Sequence, residues 1–234
     1  MISVVIPAYN EEQNIKRCLE GFVHQKTTQE FEVILVDNNS TDRTVEVGRE
    51  FEKKIPLRII EEKEKGRGHA RAAGFKAAKG DIILSTDADA IVPSTWIEDM
   101  AQAFEDPTVA AVTGTGKMID ASGFKNTLAT FTLPLAMHLY ALLHRHHWLS
   151  GFNFGIRKDI YEKSGGFKAI NGLEDIDLGF RVRKIGKIRY KPIWVYMSGR
   201  RFKGSVVKGI GNYAKGYVDY IIRKKADIYL SDVR

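Results

Sequence analysis

The chain has a single cysteine, Cys18, in 234 residues, so no internal disulfide can form and a small disulfide-stapled scaffold is excluded. Cys18 falls on the apolar stripe of a predicted first helix, where a buried, inert thiol is expected. A reducing, cytoplasmic compartment fits such sparing use. Proline is scarce too, with six in all, and neither a Pro- or Gly-rich linker nor an internal repeat divides the chain, so residues 1–234 read as one domain. No stretch reaches the ~20 apolar residues that a bilayer crossing needs. The nearest, Thr127–Leu143, is 17 residues without a formal charge, but it contains Pro134, His138 and three threonines. It reads as a buried helix, a channel wall or a lipid-touching surface rather than a span. The apolar opening Ile2–Ile6 is too short for a signal peptide and lacks a basic start. No P-loop or dinucleotide fingerprint occurs. His144, His146 and His147 cluster without the spacing of a metal site and read as a solvated helix end.

Hydrophobic residues make up 44% and charged residues 28%, an ordinary balance for a folded domain with a sizeable core. The net charge of +7 is concentrated: residues 199–225 hold eight basic side chains against one acid, Asp219. Such a segment is either a solvated helix face or a surface for an anionic partner, a phosphate-bearing substrate or an anionic membrane. It belongs to no recognisable nucleic-acid module, so no nucleic-acid partner is expected. Val206, Ile210, Tyr213, Tyr217 and Ile221 fall on one helical stripe with Lys208, Lys215 and Asp219 opposite, the pattern of a basic amphipathic helix over residues 202–234.

The first half alternates strand and helix. Strands are predicted at Ile2–Ile6, Phe31–Val36, Leu57–Ile60 and Asp81–Ser85. Helices are predicted after an Asn10/Gln13 cap, after the polar turn Asp37–Asp42, over His69–Lys79 up to Gly80, and from Thr95/Glu98 to Phe104. This order predicts an α/β fold, a mostly parallel central sheet with helices on both faces. Ligands of such sheets bind outside the strand carboxyl ends, where Asp37 and Asp87 both fall. The second half is less regular, with strands around Ala110–Thr115, Phe152–Arg157 and Ile188–Tyr196 and helices near Asp159 and Asp175. Residues 1–117 make up the first half of the chain and 118–201 the second.

Asp87-Ala88-Asp89 closes an apolar strand. Read as extended, its two carboxylates point the same way, and carboxylate oxygens suit a hard cation, Mg²⁺ or Mn²⁺. Asp37 either accepts hydrogen bonds from a nucleoside or caps the turn that follows it. Lys65-Gly66-Arg67-Gly68-His69 reads as a phosphate-facing loop. Glu174-Asp175 opens a helix, where acids favour the helix dipole; a carboxylate presented there on a glycine-punctuated loop (Gly165, Gly166, Gly172) also suits a general base.

Together these residues resemble the family 2 glycosyltransferases of the GT-A (Rossmann-like) fold. The likeness runs from Ile2 to Arg201 through Val4-Val5-Ile6-Pro7-Ala8-Tyr9-Asn10-Glu11-Glu12, Val36-Asp37-Asn38-Asn39-Ser40-Thr41-Asp42, Gly66-Arg67-Gly68-His69-Ala70-Arg71-Ala72-Ala73-Gly74, Asp87-Ala88-Asp89, Gly165-Gly166-Phe167 and Glu174-Asp175-Ile176-Asp177-Leu178. It implies an inverting, metal-dependent enzyme that moves a sugar from a nucleoside-diphosphate donor (UDP- or GDP-sugar) to a glycan or lipid-linked acceptor. Pro7, Ala8, Tyr9 and Glu11 are then expected around the nucleoside, Asp37 on its base, Asp87 on the ribose side and Asp89 on the metal. Arg67 or Arg71, with Arg200 or Arg201, is expected on the diphosphate, and Asp175 as catalytic base. Many relatives place a histidine after the last core strand as a further metal ligand. Here that stretch reads Val195-Tyr196-Met197-Ser198-Gly199-Arg200-Arg201, which leaves the cation to Asp89 and phosphate or lets arginines take part of its place. The competing readings are a sugar nucleotidyltransferase and a non-catalytic nucleotide-sugar-binding domain.

Overall fold

The computed structural model describes residues 1–119, 123–168, 170, 172–198, 217, 218 and 220. In chain order the elements are β1 (Ile2–Ala8), α1 (Ile15–Val23), β2 (Phe31–Asp37), α2 (Thr44–Arg49), β3 (Leu57–Glu61), α3 (Arg67–Ala77), β4 (Ile82–Thr86), β5 (Ala90–Ile91), α4 (Trp96–Gln102), β6 (Val109–Met118), α5 (Gly123–His144), β7 (Asn153–Arg157), α6 (Lys158–Lys163), α7 (Glu174–Val182) and β8 (Lys187–Met197). Eight strands form one sheet in the order β3-β2-β1-β4-β7-β6-β8-β5.

The expected parallel core is present in β3-β2-β1-β4. The sheet as a whole is mixed, because β7 runs antiparallel to both β4 and β6, and β5 antiparallel to β8. Apolar runs buried on both faces drive this layering. Along β1, Ile2, Val4, Ile6 and Ala8 enter one core with α1 and α4, while Val5 enters a second core with Ala70 and Phe75 of α3 and Leu178 of α7. On this second face α3 lies close to the sheet because position 74 has no side chain: a Cβ there would stand 2.3 Å from Val5 Cγ1.

Two local expectations are corrected. Asn10 does not cap α1, which starts at Ile15. Asn10 instead adopts a left-handed φ of 51° and ties two loops together, its amide donating to Ser40 Oγ at 3.0 Å and its Oδ1 accepting from Thr41 N at 2.7 Å. The histidine cluster is not a solvated helix end: His146 is buried among the rings of Tyr140 and Phe180.

α5 contains Pro134 and His138, and among the described residues no helix is long and apolar enough to cross a membrane. It turns Met137 and Tyr140 inward and leaves Leu135, Leu139, Leu142 and Leu143 exposed.

Candidate active site

The parallel strands deliver three loops to one sheet edge. Ala8 ends β1 directly beside Asp37, the last residue of β2, and Asn38 N donates to Ala8 O at 2.8 Å. β4 ends at Thr86 on the other side of β1. Strands two places apart are separated by about 10 Å, so Asp37 and the Asp87–Asp89 segment face one cleft. Pro7 is half-buried at this edge. Glu11 is buried, its amide donating to Thr44 Oγ1 at 2.7 Å and its Oε2 accepting from Asn14 Nδ2 at 3.0 Å. Tyr9 stacks under the Lys65 ammonium, which also donates to its hydroxyl at 3.1 Å.

Of the two acids in the Asp37–Asp42 turn, Asp42 carries the capping. Its Oδ1 accepts from the Thr44 amide at 3.0 Å and hydroxyl at 2.5 Å, and its Oδ2 from Glu12 N at 3.1 Å. These bonds hold its carboxyl below the usual range, although its partial burial opposes them. Asp37 makes only long contacts to Ser40 N, 3.3 and 3.4 Å.

Asp87-Ala88-Asp89 is a turn rather than an extended segment, closed by Ala90 N donating to Asp87 O at 3.1 Å. The two carboxylates therefore stand on a turn and not on one face of a strand. Cys18 packs against this turn, its thiol 3.5 Å from Asp87 O. Its thiol is pushed well above the ordinary range, first by burial and then by the charges of Asp89, Asp87 and Glu11. The inert cysteine expected from the sequence is observed.

The glycine loop is also corrected. α3 already begins at Arg67, after Gly66 at φ 141°, and a Cβ on Gly68 would stand 2.7 Å from Ile170 O. Asn38 braces the approach, donating to Glu62 O and Glu64 O at 2.8 and 2.7 Å and accepting from Gly66 N at 2.8 Å.

Arg71, expected on the diphosphate, is 2% exposed. Its Nη2 donates to Asp87 Oδ1 at 2.6 Å and its Nη1 to Glu174 Oε1. A guanidinium so buried and so held joins two acids of the site. Asp175 follows Glu174 at the start of α7. Its Oδ2 accepts from Gly151 N at 3.0 Å and its Oδ1 from Ile176 N at 2.8 Å. Burial, then the charge of Glu174, push its pKa up to about 6 against the opposing charge of Arg71 and these two amides. The loop before α7 is anchored by Phe167, which packs against Phe75 and Tyr161.

Two participants went unseen in the sequence, Gly151 and the inward side of α3. The second had a signal: Ala70, Gly74, Phe75 and Ala78 make a helical stripe, and Arg71 lies within it. Gly151 left none that a single sequence displays.

Arg200 and Arg201 lie outside the described residues, as does most of the predicted C-terminal helix. β8 does end beside the acids, since Met197 pairs with Ala90. Among the described residues no three His, Cys, Asp or Glu side chains group as a metal cage. Asp87 is engaged by Arg71, and Asp89 is a largely buried carboxylate on the same turn. This donor set fits a hard cation that takes most of its ligands from phosphate and water; it does not fit a structural metal.

A parallel β3-β2-β1-β4 half continued by a mixed β7-β6-β8-β5 half, with acids gathered at the ends of β2 and β4, is the arrangement of the GT-A fold. The solved structures most like it by shape include the mannosyltransferase PcManGT from Pyrobaculum calidifontis in complex with GDP-Man and Mn²⁺. It matches with a TM-score of 0.72, 22% identity, and coverage of 95% of this chain and 64% of that one. S. aureus TarS 1-349 in complex with UDP-GlcNAc matches with a TM-score of 0.68, 21% identity, and coverage of 88% and 60%. Residues 3–165 match the model of glycosyl transferase family 2, and the chain belongs to that family. A probable glycosyltransferase, YdaM, of Bacillus subtilis (strain 168) is 31% identical over 204 residues, covering 82% of this chain and 49% of its own. The dolichol-phosphate mannosyltransferase of Pyrococcus furiosus is 34% identical over 112 residues, 47% of this chain and 32% of its own. The chain thus spans about half or less of the length of these relatives.

Proposed function

We propose that this family 2 glycosyltransferase transfers a sugar from a UDP- or GDP-sugar to a glycan or lipid-linked acceptor with inversion. The observation that carries the reading is the position of Asp175. It sits on the same edge as Asp37, Asp87 and Asp89, linked to Asp87 through Glu174 and Arg71, and its pKa is pushed up to about 6, close to neutral operating pH. Asp175 takes the proton from the acceptor hydroxyl as that oxygen attacks the anomeric carbon, and the nucleoside diphosphate leaves from the opposite face. Pro7, Ala8, Tyr9, Glu11 and Asp37 hold the nucleoside, and Asp87 the ribose side.

Asp89 and the donor phosphates hold Mg²⁺ or Mn²⁺, which when bound neutralises charge on the leaving diphosphate. The cation in the PcManGT complex supports this choice. Arg67, half-buried at the start of α3, and Arg200 and Arg201 are the candidates for diphosphate contact.

The test is transfer from UDP- and GDP-sugars with either metal by wild type, Asp89→Asn and Asp175→Asn, with the product anomer read by NMR. Loss of about 10²–10⁴-fold in the Asp175 variant, with retained donor binding and an inverted product, is the expected result. A retained anomeric configuration, or unimpaired turnover without Asp175, ends the reading.

We further propose that the enzyme works at an anionic membrane surface on the cytoplasmic side. Leu135, Leu139, Leu142 and Leu143 are exposed on α5, and Tyr217, from within the most basic part of the sequence, hydrogen-bonds His144 at the end of that helix. Flotation with phosphatidylglycerol-containing vesicles is expected to bind wild type, and Leu142→Gln/Leu143→Gln is expected to release it. Absence of wild-type binding removes the membrane from the account.

A further inference from the structure

Arg71 touches acids on two sides of the site. Its guanidinium is 2% exposed, so its charge is shielded from water and must be met within the protein. It is met twice, by Asp87 at the end of β4 and by Glu174 at the start of α7, each through a different terminal nitrogen. Gly151 closes a third side: a Cβ there would stand 2.5 Å from Arg71 Nη2 and 2.8 Å from Cζ. The same Gly151 donates its amide to Asp175 and accepts through its carbonyl from Ser85 Oγ of β4 at 3.0 Å.

Resting on the reading of Asp175 as the base, we propose that Arg71 is a positioning residue that locks the base-bearing helix α7 to the donor-side acid turn. The reasoning is geometric. α7 and β4 are not neighbours in the sheet and share no strand ladder. The fixed fork of one guanidinium spans the gap between a β4-end carboxylate and an α7 carboxylate, and Gly151 wedges against its face. Lysine carries the same charge but presents it at a point, so it satisfies one carboxylate at a time. The charged and titratable groups facing Asp175 are Glu174 from its own helix, Arg71 from α3 and Tyr140 from α5. Glu174 raises the Asp175 pKa and Arg71 lowers it, so the clamp also sets the pH range of the base.

The test uses the full chain with Arg71→Lys and Glu174→Gln, measuring kcat, donor KM and the pH profile, with thermal unfolding to confirm folding. Arg71→Lys keeps the charge and loses the span. Its kcat is expected to fall at least about tenfold, as misplacement of a reacting group does, with donor KM within about twofold and the acid limb unmoved. Glu174→Gln removes the anion next to the base, so its acid limb is expected to move to lower pH. A rise in donor KM with unchanged kcat for Arg71→Lys would reassign Arg71 to the donor and overturn the proposal. Full rescue by lysine would overturn it as well. Should Arg71→Lys fail to fold, Glu174→Gln decides alone: an acid limb at the wild-type pH refutes the clamp. Asp175→Asn separates the two layers. If it stays active, the base assignment fails; if it is inactive while both clamp variants behave as wild type, the positioning role alone fails.

Discussion

Gly151→Ala tests the crowding around the base most directly, because one methyl group is the whole perturbation. Gly151 does not occupy a left-handed φ, so alanine brings no backbone strain. The cost comes from contact alone. The new Cβ would lie 2.5, 2.8 and 3.0 Å from Arg71 Nη2, Cζ and Nη1, about 1 Å inside ordinary van der Waals separation for each. An exposed arginine would swing away, but this one is tied to Asp87 and Glu174, so the backbone at 151 or the ion pairs must give way. Overpacking of that kind costs about 1–3 kcal/mol, a fall of roughly 2–12 °C in melting temperature for a chain of this size. Movement of the Gly151 amide also displaces Asp175, and a shift of about 1 Å in a reacting group lowers turnover about 100-fold. Gly179→Ala is the control, on the helix α7 that carries Asp175. Its Cβ would meet nothing nearer than 3.7 Å, and alanine for glycine inside a helix gains about 0.4–1 kcal/mol. The assay is thermal unfolding of both variants beside single-turnover transfer. Gly151→Ala melting and reacting as wild type would refute the tight clamp.

Asn153→Ala is expected to be severely destabilising. The side chain is fully buried, accepts from Trp96 Nε1 at 2.9 Å and donates to Thr115 O and Ile193 O at 2.8 and 2.9 Å. Three orphaned partners cost about 3 kcal/mol or more, read by chemical denaturation; a loss under about 1 kcal/mol contradicts the reading. The pH profile of transfer is expected to fall as pH drops through about 6, since Asp175 must be ionised to act and burial raises its pKa from 3.8; activity that stays level down to pH near 4 points to another base. The sign for stability is opposite. With the folded value above the unfolded one, the contribution of Asp175 is fully present below the unfolded pKa and is lost as pH rises through about 6.

The first half of the chain was legible because its signals are local. Apolar runs ending in Asp37 and Asp87 predict strands whose carboxyl ends carry acids, and β1, β2 and β4 place them so. Helix starts were read less well. The Thr95/Glu98 pattern did mark a start, since α4 begins at Trp96 directly after Thr95, but the pattern at Asn10 misled because that side chain serves a tertiary bond and joins the second loop. The surroundings of Arg71 were not legible either. A positive residue near a glycine loop suits a phosphate, and only packing shows that its face of α3 turns inward between two acids.

The departure from a parallel sheet is what completes the site. In an all-parallel arrangement the start of β7 would lie at the edge opposite the end of β4. Because β7 runs antiparallel, Asn153 at its start pairs with Thr86 at the end of β4, and the residues just before it are delivered to the edge where Asp87 turns. Gly151 therefore reaches both Arg71 and Asp175, although 64 and 80 residues separate it in sequence from Asp87 and Arg71. The reversal of one strand is a long-range property, set by which apolar faces pack on both sides of the sheet, and local periodicity carries no trace of direction. The same reversal explains why a point change at 151 reaches the donor side as well as the base. Its amide and its missing side chain face the two halves at once.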